Sequence, residues 1–367
     1  MNTSIRPARA IAPGRIILRE LEARGWSQQD LAAILGRPEQ MISEIIQAKK
    51  QISAETARQL ARAFGTSPDF WMNLETQYRL LLAEKGGNEA EIERRSKLYD
   101  FAPVYELIRR GWIHSAGSIE ELEQEICQFF QIPSIDDRPQ VIASYRVSAE
   151  RGPEERAIIA WVCRVKQLAA AQSVKAFNHD QMLDFIPKLL ALTSDETNIS
   201  KVPDLCIENG IHFLIVPHLP KSYLDGAALW VEGHPVVALS LRYDRLDYFW
   251  FTVLHELAHI LNQNDESHVD QLFDQNEPEV QQDEIQANLL ARKWLIPEEA
   301  LKEFIEWNHP RYSRINITNF AEKQNRHPGI IVGQLMYRKE IKYSNLREYL
   351  VKVRPHLEAW EDVAYPV

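Results

Sequence analysis

The chain has 367 residues, 45% of them hydrophobic and 26% charged, the proportions of a soluble globular protein of two or three domains with full-sized cores. Its formal net charge of −10 excludes nucleic-acid binding through the overall field, although residues 1–84 carry 11 Lys and Arg against 9 Asp and Glu. Cys127, Cys163 and Cys206 are widely spaced and odd in number, as free thiols in a reducing compartment are; with no apolar run after Met1 and no segment of membrane-spanning length, the expectation is a cytoplasmic protein with no membrane contact.

Between Pro13 and Arg24, Ile16, Ile17 and Leu21 recur at helical spacing, and Gly25 stops the run. Ser27 is an N-cap for a helix from Gln28 to Leu35, Gly36 makes a turn, and Pro38 opens a third helix to about Ala48. Ser53 caps a fourth to Phe64, and Gly65-Thr66-Ser67-Pro68 starts a fifth. A short helix, a Gly-containing turn and a second helix form a helix-turn-helix, with Leu31, Ala32, Leu35, Ile42 and Ile45 as its internal contacts. Its outward face then offers Glu39, Gln40, Ser43 and Glu44 to base edges in a major groove, Gln toward adenine and Glu toward cytosine. Lys49, Lys50 and Gln28 are placed for phosphates. The competing reading is a five-helix bundle used for dimerisation, its polar face merely wet.

The pattern Leu31-Ala32-x-x-Leu35-Gly36 through Ile42-Ser43-x-Ile45, then Ile52-Ser53-x-x-Thr56-Ala57-x-x-Leu60-Ala61-x-x-Phe64-Gly65-Thr66-Ser67, then Phe70-Trp71-x-Asn73-Leu74, resembles the XRE-type domain of HigA antitoxins. The resemblance implies a lambda-repressor-like bundle that binds double-stranded operator DNA as a homodimer, with a toxin as a further partner. Glu39 and Glu44 make the reading face more acidic than is usual in that family.

Residues 85–150 read as a helical connector without chemistry. Gly86-Gly87 breaks the chain, Asn88 caps Glu89 to Tyr99, Phe101 to Ile113 looks helical, and Ser118 caps Ile119 to Phe130. A strand is expected at Val141 to Val147 and a helix from Glu155 to about Leu192.

The chemistry concentrates in Phe249 to Gln263, apolar on almost every face and therefore a buried helix. His255, Glu256 and His259 interrupt it with H-E-x-x-H spacing, which puts both imidazoles on one face where they can share a zinc ion. Glu256 is placed as the general base for a water activated there. A catalytic site needs a third protein ligand. Asp265 stands where a long metzincin motif would place it, but Asn262 replaces the glycine that motif turns on. Glu284 opens the helical run to Pro297 and shares a face with Ala287, Asn288 and Ala291, residues small enough for a second helix to come close. Glu284 is therefore the favoured ligand, and Asp283 reads as a solvated first-turn acid.

His255-Glu256-Leu257-Ala258-His259, then Glu284-x-x-Ala287-Asn288 and Leu295-Ile296-Pro297, resembles the ImmA/IrrE family of metallopeptidases. Upstream, the strand-like stretches at 212–217, 226–230 and 235–241 follow the family's order, and the resemblance covers roughly Glu155 to the C-terminus. It implies one Zn2+ on His255, His259 and Glu284, and cleavage of transcriptional repressors. Beyond this region, helices are expected over Glu298–Trp307, Ile317–Gln324 and Pro328–Arg338. His218, His268 and His327 are each candidates for stabilising an oxyanion.

The fold expected is α+β and predominantly α: a DNA-binding bundle over 1–84, a connector over 85–150, and a zincin-like metallopeptidase domain with a small β-sheet over 151–367. The function expected is a DNA-binding regulator with a zinc endopeptidase that cuts itself or a partner repressor or antitoxin. The alternative is a HigA-like antitoxin or transcription factor whose metal domain senses or stabilises and cuts nothing.

Overall fold

A computed structural model of the chain describes residues 11–84, 88–137, 139, 144–147, 154–262 and 278–362. The chain divides into two compact units, Met1–Arg95 and Ser96–Val367. The fold is α+β and mostly α, as the periodicities predict.

The first unit contains α1 (Pro13–Arg24), α2 (Gln28–Leu35), α3 (Glu39–Ile46), α4 (Ala54–Phe64) and α5 (Pro68–Glu84). Ser27 and Asp30 form a reciprocal capping box at the start of α2: the Ser27 hydroxyl accepts from the Asp30 amide at 3.1 Å, and the Asp30 carboxylate accepts from the Ser27 amide at 2.8 Å. These bonds also hold the Asp30 carboxyl below its ordinary pKa. Ser53 caps α4 through the Thr56 amide. The core is Ile17, Leu31, Leu35, Ile42, Ile45, Leu60, Phe64 and Trp71, with their neighbours, which fixes α2 against α3. The third helix ends at Ile46, two residues before the expected limit.

Next in the chain come α6 (Glu89–Phe101), α7 (Val104–Arg109), α8 (Ile119–Phe130) and β1 (Ser144–Val147). Then come α9 (Glu155–Ala171), α10 (Met182–Ala191), α11 (Val202–Glu208), β2 (His212–Ile215), β3 (Leu224–Val231), β4 (His234–Leu239), α12 (Leu246–Asn262), α13 (Pro278–Leu295), α14 (Glu298–Asn308), α15 (Arg314–Gln324) and α16 (Pro328–Tyr337). The helix expected from Phe101 to Ile113 is interrupted because Pro103 disfavours helical backbone at Ala102 and itself precedes the first residue of α7. The helix expected from Glu155 to Leu192 is likewise two, α9 and α10. Gln172 leaves the helix, and its side-chain amide reaches the Phe213 carbonyl and the His212 ring.

The sheet has the order β1-β3-β4-β2. β3 and β4 form an antiparallel hairpin, β2 lies parallel to β4, and β1 lies antiparallel to β3. The hairpin turns through Glu232 and Gly233, both with positive φ (51° and 80°), the geometry of a two-residue loop that matches strand twist.

Both faces of this sheet are covered, and side chains alternate between two cores. Phe213, Ile215, Ala228, Val237 and Leu239 belong to one core with α10 to α16. Leu214, Val216, Ala227, Leu229, Val236 and Ala238 belong to the other, with Leu98, Leu107, Ile126, Phe129 and Trp161. The stretch read as a connector therefore supplies the second layer of helices, from the end of α6 through α8. The bond from the Trp161 indole of α9, which packs in the same core, to the Val216 carbonyl, 2.8 Å, ties α9 to the residue that follows β2. Among the described residues no helix is long and apolar enough to cross a membrane. Cys127, Cys163 and Cys206 are free thiols, and burial pushes that of Cys163 up to about 12.

Candidate metal centre and nucleic-acid interface

Helix α12 is the centre of the larger core, and twelve of its residues from Leu246 to Ile260 are buried. His255 and Glu256 are fully buried and His259 is 2% exposed, an unusual state for three ionisable groups unless something holds them. Helix α13 packs along α12 through Ala287 and Ala291, both fully buried, as the small-residue face of the sequence predicts. That approach carries Glu284 to the two rings.

The three donor atoms converge. The Nε2 atoms of His255 and His259 lie 3.1 Å apart, and the Glu284 carboxylate oxygens lie 3.4 Å from the first and 3.1 Å from the second. Metal bonds of about 2.0–2.1 Å at tetrahedral angles place neighbouring ligand atoms about 3.3–3.4 Å apart, so two imidazoles and one carboxylate at this spacing fit a single small divalent ion. Among the described residues these three form the group of His, Cys, Asp and Glu side chains able to hold a metal. Burial opposes ionisation of Glu284, but hydrogen bonds and charge from His255 and His259 outweigh it and hold the carboxyl at about 2. The rings stand at 82° to one another. Phe251 stacks on the His255 ring at 6.0 Å, and the Arg292 guanidinium lies over the Phe251 ring at 5.7 Å and over the Tyr337 ring at 4.0 Å.

Glu256 points from α12 toward β3. Gly226 faces α12, and a Cβ at this position would stand 2.7 Å from the Glu256 carboxylate and 2.7 Å from the Thr252 methyl. The strand is open at Gly226 because the carboxylate fills that space. In the sequence, a lone glycine inside an apolar strand is the signal of such a close approach. Next to it, Asp225 is buried with Arg242 3.6 Å away. Asp283 is half-buried and outside the cluster. Asp265 and His268 lie outside the described residues. His327 caps α16, its Nδ1 accepting from the Gly329 amide at 3.0 Å, and the His218 carbonyl accepts from Arg110 at 2.7 Å.

On the first unit, Glu39, Gln40, Lys49 and Lys50 are exposed, while Gln28, Ser43 and Glu44 are half-buried. Two side-chain pairs pre-order this surface: Gln40 donates to Glu44 at 2.9 Å, and Gln47 donates to Ser43 at 3.0 Å. Arg37, in the turn between α2 and α3, is tied to Gln59 at 3.1 Å and paired with Glu55, so the angle between these helices is fixed from behind.

Fold and sites define a class: a helix-turn-helix domain joined to a metallopeptidase-type domain. The chain belongs to the XRE-type helix-turn-helix regulators and carries an IrrE N-terminal-like peptidase-family domain, matching the family profiles described as helix-turn-helix over residues 17–71 and as IrrE N-terminal-like domain over residues 209–321. Virulence-associated protein I of Dichelobacter nodosus is 39% identical over 77 residues, 21% of this chain and 71% of that protein. An uncharacterized HTH-type transcriptional regulator of Haemophilus influenzae is 38% identical over 68 residues, 18% of this chain and 64% of that one. Among solved structures, the antitoxin HigA of Pseudomonas aeruginosa with higBA promoter is 37% identical, covering 23% of this chain and 92% of that chain with a TM-score of 0.22. An addiction module antidote protein of the HigA family from Coxiella burnetii is 35% identical, covering 23% and 94% with a TM-score of 0.22.

Proposed function

We propose that this chain is a DNA-binding regulator with a zinc-dependent endopeptidase, acting on itself or on a partner repressor or antitoxin. The observation that carries the reading is the convergence of His255 Nε2, His259 Nε2 and the Glu284 carboxylate: the two nitrogens lie 3.1 Å apart, and one carboxylate oxygen lies 3.4 Å from the first and the other 3.1 Å from the second. When bound there, zinc supplies a Lewis acid for the scissile carbonyl and lowers the pKa of a water. Glu256, one residue from the first histidine, takes the proton of that water and passes it to the leaving amine. Packing against the bare Cα of Gly226 holds its carboxylate in one place. Phe251 on the His255 ring excludes water from that side.

We assign operator reading to the unit that ends at Arg95, as a homodimer reading two half-sites. Glu39, Gln40, Ser43 and Glu44 face bases, and Gln28, Lys49 and Lys50 face phosphates. A toxin is the further partner that the family suggests. The complete burial of Glu256 favours a second reading, in which the metal domain senses or stabilises and does not cut.

Metal analysis of the purified chain with Glu256→Gln and Glu284→Ala variants, plus incubation with co-expressed neighbouring proteins, separates the two. The proposal expects one zinc per chain in wild type and Glu256→Gln, loss in Glu284→Ala, and turnover reduced by about 10²–10⁴-fold in Glu256→Gln. Unchanged cleavage in Glu256→Gln would remove it as the base. Zinc retained with no cleavage of any partner would favour the sensing role.

A further inference from the structure

A fully buried general base raises a question of access: a peptide and a water have to reach Glu256, and the side of it facing the sheet is closed by β3 at Gly226. The β3 edge at that point is itself closed. β1 pairs with it antiparallel, Ser144 opposite Ala228, Tyr145 opposite Ala227 and Arg146 opposite Gly226. The covering strand thus stands opposite the one residue whose missing side chain makes room for the Glu256 carboxylate.

Two features mark β1 as a removable cover. Its ladder is irregular: Arg146 pairs with Gly226 and Val147 with Leu224, which leaves Asp225 as the extra residue of a bulge. It also comes from outside the segment that matches the peptidase family, which begins at residue 209 and itself supplies β2, β3 and β4. Without β1 the sheet of that segment would end at β3, with an unpaired edge beside the site. Such an edge is a template for an added strand.

We propose that β1 is an autoinhibitory strand: it occupies the β3 edge in the position an extended substrate segment takes, and substrate binding proceeds by its displacement. The inference rests on the peptidase reading above. The occupant that replaces β1 is a segment of protein able to lie extended, held by backbone hydrogen bonds to β3 and passing Gly226 where Arg146 now sits. A chain with β1 seated is closed to substrate, and any event that withdraws residues 144–147 opens it.

The test uses the full-length chain and a fluorescein-labelled peptide of residues 141–150, read by fluorescence anisotropy. Tyr145→Pro removes a backbone N–H and restricts β1, while Tyr145→Ala keeps the backbone and serves as control. The Pro variant is expected to bind the peptide at least tenfold more tightly than wild type and the Ala variant. Equal affinity in all three, or weaker binding by the Pro variant, overturns the proposal; the second result would mean that β1 belongs to the binding surface. Should Tyr145→Pro fail to fold, Tyr145→Cys with Ala227→Cys gives an independent measurement. Directly opposed strand residues lie within disulfide reach in either kind of antiparallel pair. The oxidised form is expected to bind the peptide at least tenfold more weakly than the reduced form, and equal binding overturns the displacement. Zinc content is measured in every variant: a wild type without zinc would sink the peptidase reading, whereas one zinc per chain with no difference in peptide binding would sink only the strand exchange.

Discussion

Helix α3, proposed to read DNA, and helix α12, proposed to hold zinc, carry their polar residues under opposite conditions. On α3 the polar groups stand in solvent or half out of it, paired with neighbours one turn away, while Ile42 and Ile45 anchor the helix with Met41 and Ile46 packed beside them. On α12 the polar groups are inside the core, and the groups that hold them come from α13 and β3. Function and stability are therefore separable in the first case and coupled in the second. Substitution on α3 should change what is bound and leave folding alone, whereas substitution around α12 should change both.

The largest effect that tests this contrast is removal of the metal. If zinc binds only the folded domain, chelation or Glu284→Ala should lower the stability of the second unit by roughly 2.7 kcal/mol at free zinc 100-fold above its Kd. The unfolding of the first unit should not move. Calorimetry with and without chelator checks it, and one transition shifting as a whole would show the two units to be coupled.

Gly226→Ala comes next. The added methyl would meet both the Glu256 carboxylate and the Thr252 methyl. The carboxylate end can swing away but the threonine cannot, so a cost of roughly 2 kcal/mol is expected, with a larger fall in turnover than in zinc content. Equal losses of zinc and turnover would place the damage at the metal ligands instead.

These two predictions lean on residues of very different legibility. H-E-x-x-H was readable because helical spacing alone brings His255 and His259 together. Glu284 was readable because Ala287 and Ala291 announce a close helix on the same face. Gly226 was not, because which residue of a strand faces α12 is decided by the pairing of β3 with β4 and β1. The same limit hid the role of residues 98–130. Their apolar periodicity predicted helices, and only the two-sided burial of Leu214, Ala227 and Ala238 reveals that a second helical layer was needed. Where local signals compete, the chain divides: Pro103 and the side-chain bonds of Gln172 each end what periodicity would continue.

His212 sharpens the comparison from the sheet side. It is buried at the start of β2, 3.1 Å from the Gln172 side chain and facing His234, and burial, aided by the charge of His234, lowers its pKa to about 4. The unfolded chain titrates near the ordinary 6.5, so between these values it binds the proton that the folded chain refuses. This contribution is complete above pH 6.5 and is lost as pH falls toward 4, by roughly 2 kcal/mol between pH 7 and 4.5. Denaturant titrations from pH 7 to 4.5 should show a shallower decline for His212→Gln than for wild type. Parallel curves would mean that other groups carry the loss.

The smallest effect belongs to the exposed face. Lys49 and Lys50 lie beyond α3 in solvent, and neither takes part in the core. If they neutralise phosphates, each alanine substitution should weaken binding about equally across operator sequences and reduce the slope of log K against log salt by about 0.9. If Gln40 reads a base, Gln40→Ala should instead relax preference at one base position and leave the slope alone, because its amide, now held by Glu44, carries no charge. None of the three should shift thermal unfolding by more than about 0.5 kcal/mol. A lysine substitution that lowers stability while leaving the salt slope intact would place that residue in the fold, and the separation of binding from folding on α3 would fail at that position.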